Sequence, residues 1–500
     1  MSKHVETGLF SSLLRCDSKA VGTLYLIFAI FAGVIGAVFS IILRLALNRT
    51  DIVFLSNLFP RDPMLLSFMN MAHALILVFF MVMPALIGGF ANWFVPIMIG
   101  TQNVAFPRLN IVALVLLPFS VIAAFMALFT LAEPNLFKTL LFTSILLGSF
   151  SFLFTFVNFI STIITMRAPG LTLSRLPVFV WSVLIASFLG LMSVPAMLAA
   201  LTDLIYAKDI EIEHLSMMIW FFSHPEVYVL LLPAFGIISQ ILTTFCKRRL
   251  WMENLVIAAM IAIGGIGFIL WSQDLFHFLQ PNAMERYFNV ALPLIIVPTV
   301  FILISWFVTL VQSRVTFSTP MLWASGFFFV VLMGQISAIQ LIASNSGLTE
   351  LNSSAFVAHF HYILSLSAVF AIFAGWYYWL PKITGYSCRV TTIKIHFWMM
   401  FIGVNAIFLP QHLHDLSAGY LFTAPQVSVF SSIGAILAGL SVIVFLYGIC
   451  ETLHRRVKVG NNPWGQGAAT LEWQLPSPPD KAWVKVPVIH KTHKDASRRK

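Results

Sequence analysis

Charge is scarce in this sequence. Asp, Glu, Lys and Arg make up 10% of its 500 residues, where a soluble domain carries about 25%. That excludes an ordinary water-soluble fold, and 59% hydrophobic residues with a mean hydropathy of +0.92 point the same way. Cysteine is scarce too. Cys16, Cys246, Cys388 and Cys450 are spaced for neither a disulfide framework nor a cysteine metal site. The chain does not open on a short apolar stretch ending in small residues, so no cleaved signal peptide is expected. Acidic residues are outnumbered, 19 against 29 basic, for a net charge of +10. The basic residues follow a topological pattern, so no nucleic acid partner is expected.

What is present is a succession of apolar runs of about 20 residues or more, each long enough to cross a bilayer as a helix. Twelve helices are read, over about 20–46, 69–98, 109–133, 138–166, 176–206, 213–246, 250–273, 284–312, 319–343, 354–381, 391–410 and 424–452. The expected fold is all-α, a polytopic transmembrane bundle. The loops alternate in charge. One side carries Lys3, Arg15, Lys19, Arg108, Arg167, Arg175, Lys247, Arg248, Arg249, Arg314, Lys382, Arg389 and Lys394, and the basic tail joins them. The other side has Arg49, Arg61, Lys138, Lys208 and Arg286. The positive-inside rule puts both termini in the cytoplasm or, in a mitochondrion, the matrix. Residues 1–19 then form an inner arm, 20–452 the twelve-helix membrane domain, and 453–500 a basic, proline-containing inner tail.

Polar side chains within apolar helices are costly, so they are the candidates for chemistry. The stretch Val357-Ala-His-Phe-His-Tyr362 sets His359 and His361 two apart. That is about 200° around a helix, which sends them to nearly opposite flanks. Each could serve a separate cofactor, because neutral imidazole binds haem iron. Hydrogen bonds to neighbouring helices would satisfy them equally well. His73 lies about one turn inside the outer surface, and His359 and His361 one to two turns, so the three share a depth. Arg44, near the outer end of the first helix, either snorkels to the interface or faces an anionic cofactor group. The sixth helix contains Trp220-Phe-Phe-Ser-His-Pro-Glu-Val-Tyr228. His224 and Tyr228, at i and i+4, share a face. Glu226 points elsewhere, and a carboxylate among Leu, Val and Phe is suited to carrying protons. Pro225 loosens or kinks that helix. In the string Leu270-Trp-Ser-Gln-Asp-Leu-Phe-His277, Asp274 and His277 are i and i+3 and could share a face. Helices three, four and five have no ionisable residue at depth and read as apolar scaffold.

Several longer strings carry a family likeness. They are Gly88-Gly-Phe-Ala-Asn-Trp-Phe-Val-Pro-Ile-Met-Ile-Gly100, Ala105-Phe-Pro-Arg-Leu-Asn110, Met166-Arg-Ala-Pro-Gly170, His224-Pro-Glu-Val-Tyr228 and His359-Phe-His361, with Asn462-Pro-Trp-Gly465 and Thr470-Leu-Glu-Trp473 in the tail. With these the chain resembles subunit I of cytochrome c oxidase, in the haem–copper oxidase superfamily, over nearly its whole length. The resemblance implies two haems, haem a by type. It makes His73 and His361 the axial ligands of a low-spin haem and His359 the proximal ligand of a high-spin haem, where dioxygen would bind. It makes His224 one of three copper ligands, Tyr228 the tyrosine cross-linked to it, and Glu226 the end of a proton pathway. It further implies a bacterial inner or mitochondrial inner membrane, subunits II and III as partners, and cytochrome c as electron donor through subunit II.

The chain also departs from the family pattern. Gln273 and Asp274 stand where the family has a copper-binding His-His pair. Ile302 replaces a proton-pathway lysine, and Asn103 a proton-inlet aspartate. Leu351-Asn352 replaces an outer His-Asp, and Leu421-Phe422 an Arg-Arg pair that holds haem propionates. The expectation is a respiratory membrane protein that keeps haem ligation, binds little copper and is impaired in proton pumping. By resemblance it is a cytochrome-c oxidase. Two alternatives stay open: a competent terminal oxidase with a substitute copper site of His224, Asp274 and His277, and a non-catalytic haem electron-transfer or structural subunit of a respiratory complex.

Overall fold

The computed structural model describes residues 16–47, 69–70, 72–130, 133–206, 212–275, 290, 292–344, 354–416 and 421–479. Among them stand twelve helices and no strand. They are α1 (Ser18–Leu47), α2 (Ala72–Ile99), α3 (Pro107–Leu128), α4 (Pro134–Thr165), α5 (Val178–Tyr206) and α6 (Ile212–Cys246). Then follow α7 (Glu253–Leu275), α8 (Leu292–Val311), α9 (Thr319–Ser344), α10, α11 (Val390–Leu416) and α12 (Ala424–Arg455). α10 joins Ser354–Phe360, a π-helical stretch His361–Leu366, and Ser367–Thr384. Eleven of these helices hold apolar spans long enough to cross a membrane, and α7 holds a shorter one, Glu253–Ile269. Large side chains such as Phe119, Val297, Phe307 and Ile443 lie exposed, as they can where the surrounding solvent is lipid.

Local chemistry explains the helix ends. α3 and α4 begin on Pro107 and Pro134, in the first turn, where a missing N–H costs nothing. α4 therefore starts ahead of the expected 138. α11 runs through Pro410 to Leu416 instead of closing at 410; an internal proline removes one hydrogen bond without having to end the helix. The part of the expected eighth helix over 284–289 lies outside the described residues. α2 stops on Gly100 at φ 81°, a left-handed C-cap that glycine adopts without steric cost. α12 opens on a capping box between Thr423 and Gln426.

The chain packs as two units. One comprises Met1–Ile27, Pro84–Gly236 and Ala469–Lys500, the other Phe28–Met83 and Ile237–Ala468. In the first, α4 packs against both α3 and α5. In the second, α11 lies along α12 and α9 along α10. Gly403 and Gly434 let the first of these pairs approach closely, since a Cβ on Gly434 would stand 2.5 Å from the Gly403 carbonyl oxygen. The tail is not featureless. Trp464 stacks on Tyr378 at 6.0 Å and 10°, and its Nε1–H donates to the Tyr378 carbonyl at 3.1 Å.

Candidate functional site

The second unit brings two of the three shared-depth histidines together. α2 turns π-helical over Ile76–Val82, just past His73, and α10 turns π-helical at His361 itself. Such turns re-aim side chains and recur at functional sites. His361 Nδ1 lies 2.7 Å from the Val357 carbonyl one turn back, and His73 Nδ1 lies 3.1 Å from the Gly36 carbonyl of α1. A carbonyl only accepts, so each ring donates from Nδ1 and keeps its lone pair on Nε2. Neither Nε2 has a hydrogen-bond partner among the described residues. The two rings are near enough to interact electrostatically with each other, and Arg44 interacts with both. Gly36 allows this approach: a Cβ there would stand 2.4 Å from Leu77 Cδ2 on α2.

Arg44 is held in place by side chains. Its Nη1 donates to Ser431 Oγ at 2.7 Å, and its guanidinium carbon stands 4.8 Å from the centroid of the Phe408 ring. Phe408 in turn stacks on His361, with centroids 4.3 Å apart and planes 25° apart. Arg44 thus stands beside both imidazoles.

His359 looks to different neighbours. It is 5% exposed. Its ring approaches the Gly334 carbonyl of α9 and interacts electrostatically with His412 of α11, while its Nδ1 completes no hydrogen bond. A backbone carbonyl is the partner that Nδ1 takes when such a ring ligates a metal through Nε2. The residues fit haem iron. His73 and His361 are imidazoles tied by Nδ1 to backbone carbonyls with Nε2 left over, which is how haem and other metal sites orient this ligand. Among the described residues no cluster of three or more His, Cys, Asp or Glu side chains could hold a bare ion. Axial imidazoles suffice for an iron that brings its own equatorial nitrogens.

The other candidates divide between described and undescribed residues. Tyr228 on α6 is buried, and that helix runs on through Pro225. The side chains of His224, Glu226, Gln273 and Asp274 lie outside the described residues, as do His277, Leu351 and Asn352 entirely. Ile302 is fully buried on α8. At the Leu421-Phe422 step, Leu421 is exposed and the Phe422 carbonyl lies 2.5 Å from His414 Nδ1.

In the first unit, the reading of helices three to five as apolar scaffold needs correction. α4 carries Ser151, Thr155, Asn158 and Thr162 in a buried row. The spacing of 4, 3 and 4 residues is a helical stripe, and it was there in the sequence to be found. Asn158 accepts from the Phe106 N–H at 2.9 Å and donates to its carbonyl at 3.2 Å. Thr162 accepts from the Ala105 N–H at 2.8 Å, and Ser151 donates to the Ala113 carbonyl at 2.6 Å. Asn110 of α3 donates to Asn92 at 2.7 Å, and Asn92 donates to the Gly88 carbonyl at 2.8 Å. The Tyr25 hydroxyl, fully buried, faces Ser151 and Thr155. Asn103 is used at both ends of its amide. Nδ2 donates to the Cys16 carbonyl at 2.8 Å, and Oδ1 accepts from Ser18 N–H at 3.2 Å and Val104 N–H at 2.9 Å.

Comparison with known proteins extends the geometry. Residues 20–450 match the family described as Cytochrome C and Quinol oxidase polypeptide I. The chain is 32% identical to cytochrome c oxidase subunit 1 of Cereibacter sphaeroides, over 95% of each sequence. Its fold is similar to a chain from the cryo-EM structure of a heme-copper terminal oxidase dimer, with a TM-score of 0.61 over 98% of this chain and 88% of that one. At 16% identity the second likeness concerns the fold alone.

Proposed function

Because the chain belongs to the cytochrome c and quinol oxidase polypeptide I family, we propose that it is the haem-carrying subunit of a respiratory oxidase whose copper binding and proton pumping are impaired. It is an integral membrane protein, and its family works through haem and copper alongside other subunits. His73 and His361 would hold a low-spin haem through Nε2, and His359 would hold a high-spin haem at which dioxygen would bind. Haem, when bound, supplies a one-electron iron couple. The Gly36 and Val357 carbonyls orient the first two rings through Nδ1. Arg44 adds a fixed positive charge beside them, which suits an anionic group or a reduced metal centre. The observation that carries this reading is the pair of neighbouring imidazoles, both tied by Nδ1 and both without an Nε2 partner among the described residues.

The impairment follows from the residues that stand at the other family positions. Gln273 and Asp274 give no imidazole, and copper affinity depends on matched ligands. Ile302 cannot hold a proton, and Asn103 is a neutral amide already bonded at both ends. The hydroxyls and amides of α3 and α4 can hydrogen-bond water but do not titrate near neutral pH. Glu226 therefore lacks a titratable feed from the inner surface. The family further suggests haem a, subunits II and III, and cytochrome c as donor through subunit II. The loop charges put both termini on the cytoplasmic or matrix side of a bacterial or mitochondrial inner membrane. Absorption spectroscopy and metal analysis of the purified protein are the test. Low-spin haem with far less than one copper per high-spin haem is expected. One tightly bound copper per high-spin haem, lost on His277→Ala, would establish the substitute site instead.

A further inference from the structure

We infer that Phe408 is a positioning residue for the haem-ligating histidine, fixing the plane of the His361 ring and holding Arg44 beside it. The inference rests on the ligation reading above. One hydrogen bond from Nδ1 to the Val357 carbonyl sets where the His361 ring points, but the ring can still rock about that bond. A second constraint is needed to fix its plane. The Phe408 ring supplies one by lying 4.3 Å away and within 25° of parallel.

Phe408 is itself framed. It is 3% exposed, and Tyr362 meets it edge-on at 6.2 Å and 65°. The Tyr362 hydroxyl donates to Asn405 Oδ1 at 2.9 Å, and Asn405 Nδ2 donates to the Phe401 carbonyl at 2.8 Å. Tyr362 follows His361 in the chain, and Asn405 lies three residues before Phe408 on α11, on the same side of that helix. The frame thus closes: α10 to α11 through a hydrogen bond, and back through a stack. Arg44 joins it 4.8 Å from the Phe408 centroid, within the range at which an aromatic face attracts a guanidinium. Groups that orient a metal ligand tune the metal as well as the ligand. In a bis-imidazole haem, the angle between the two ring planes sets the splitting of the iron d orbitals. Loss of the stack should therefore appear in the magnetic spectrum while the ligands stay in place.

The test uses the full-length protein, purified with its haem, and three variants. Phe408→Leu keeps a bulky apolar side chain without a ring, and Phe408→Tyr keeps the ring. The Leu variant is expected to retain haem and low-spin absorption while the g-values of its ferric low-spin EPR signal shift and broaden. The Tyr variant is expected to keep the parental signal. Parental g-values and linewidth in the Leu variant overturn the inference, and so does an equal shift in both variants. If the Leu variant does not accumulate, Tyr362→Phe removes only the hydroxyl that anchors the frame; broadening then supports the inference and a parental signal overturns it. Parental protein with no bis-histidine signal at all is a different result, and it overturns the ligation itself.

Discussion

Two buried polar regions of this chain handle hydrogen bonding in opposite ways. In the first unit, Asn92, Asn110, Asn158, Thr162 and Ser151 spend their polar atoms on one another and on nearby backbone. In the second, His73 and His361 each spend one ring nitrogen on a carbonyl and leave the other without a partner among the described residues. Both regions carry the cost of taking polar groups out of water. A closed network recovers it by tying helices together. An open one recovers it only when something binds. Polarity within a membrane helix is therefore not itself the mark of a ligand site; an imidazole tied at Nδ1 with Nε2 left over is a better one.

The largest effect that can break this comparison is loss of the open site. His73→Ala and His361→Ala should each abolish the low-spin haem signal, because the surviving imidazole cannot make the iron six-coordinate alone. Absorption spectra of the purified variants check it, and a low-spin spectrum that survives His361→Ala counts against the assignment. Next comes the backbone approach behind His73. Gly36→Val drives a branched side chain into Leu77, which should cost about 1–3 kcal/mol and lower the haem content per protein. A variant with parental haem content and melting temperature would show that the α1–α2 approach is not what seats His73.

The closed network should respond in stability and not in haem. Asn110→Leu removes the donor from buried Asn92 Oδ1. It should cost about 1–3 kcal/mol while the haem spectrum stays parental. A spectral change without a stability change would reverse the roles given to the two regions. Asn103→Asp should have a smaller effect. An ionised carboxylate cannot donate to the Cys16 carbonyl, so about 0.5–1.5 kcal/mol should be lost, seen as a lower midpoint in chemical denaturation. The smallest expected effect lies outside both regions. Burial pushes the Cys388 thiol up, against hydrogen bonding to Thr452 and the nearby Arg455, which favour the thiolate. Less thiolate is then present at a given pH, so alkylation of Cys388, followed by mass spectrometry, should begin at higher pH than for a free cysteine. Alkylation at the pH of a free cysteine would contradict this.

Much of the fold could be read in advance, because apolar runs of membrane length leave few choices of element. Two of the helix ends that differ lie at prolines. Pro134 starts a helix expected from 138, and Pro410 sits inside one expected to close there. His73, His359 and His361 stood out as imidazoles in apolar surroundings. Their supports did not. Gly36 lies 37 residues from His73, and no local pattern pairs the two. Phe408 is one of 48 phenylalanines, and only packing singles it out. The α4 stripe is legible by its spacing, but hydroxyls and amides carry no charge and stand out less than ionisable residues. Ile302 and Asn103 were legible as departures from the family; the double use of the Asn103 amide became visible only once the Cys16 carbonyl was folded onto it.

The central claim is that two imidazoles with open Nε2 atoms hold one haem between them. Low-temperature EPR and near-infrared magnetic circular dichroism of the ferric, purified protein test it most directly. The account expects one low-spin signal with a bis-histidine charge-transfer band, quantified at one per chain and absent from both His73→Ala and His361→Ala. Ferric haem that is wholly high-spin in the parental protein, or a low-spin signal with ligands other than two histidines, would contradict it.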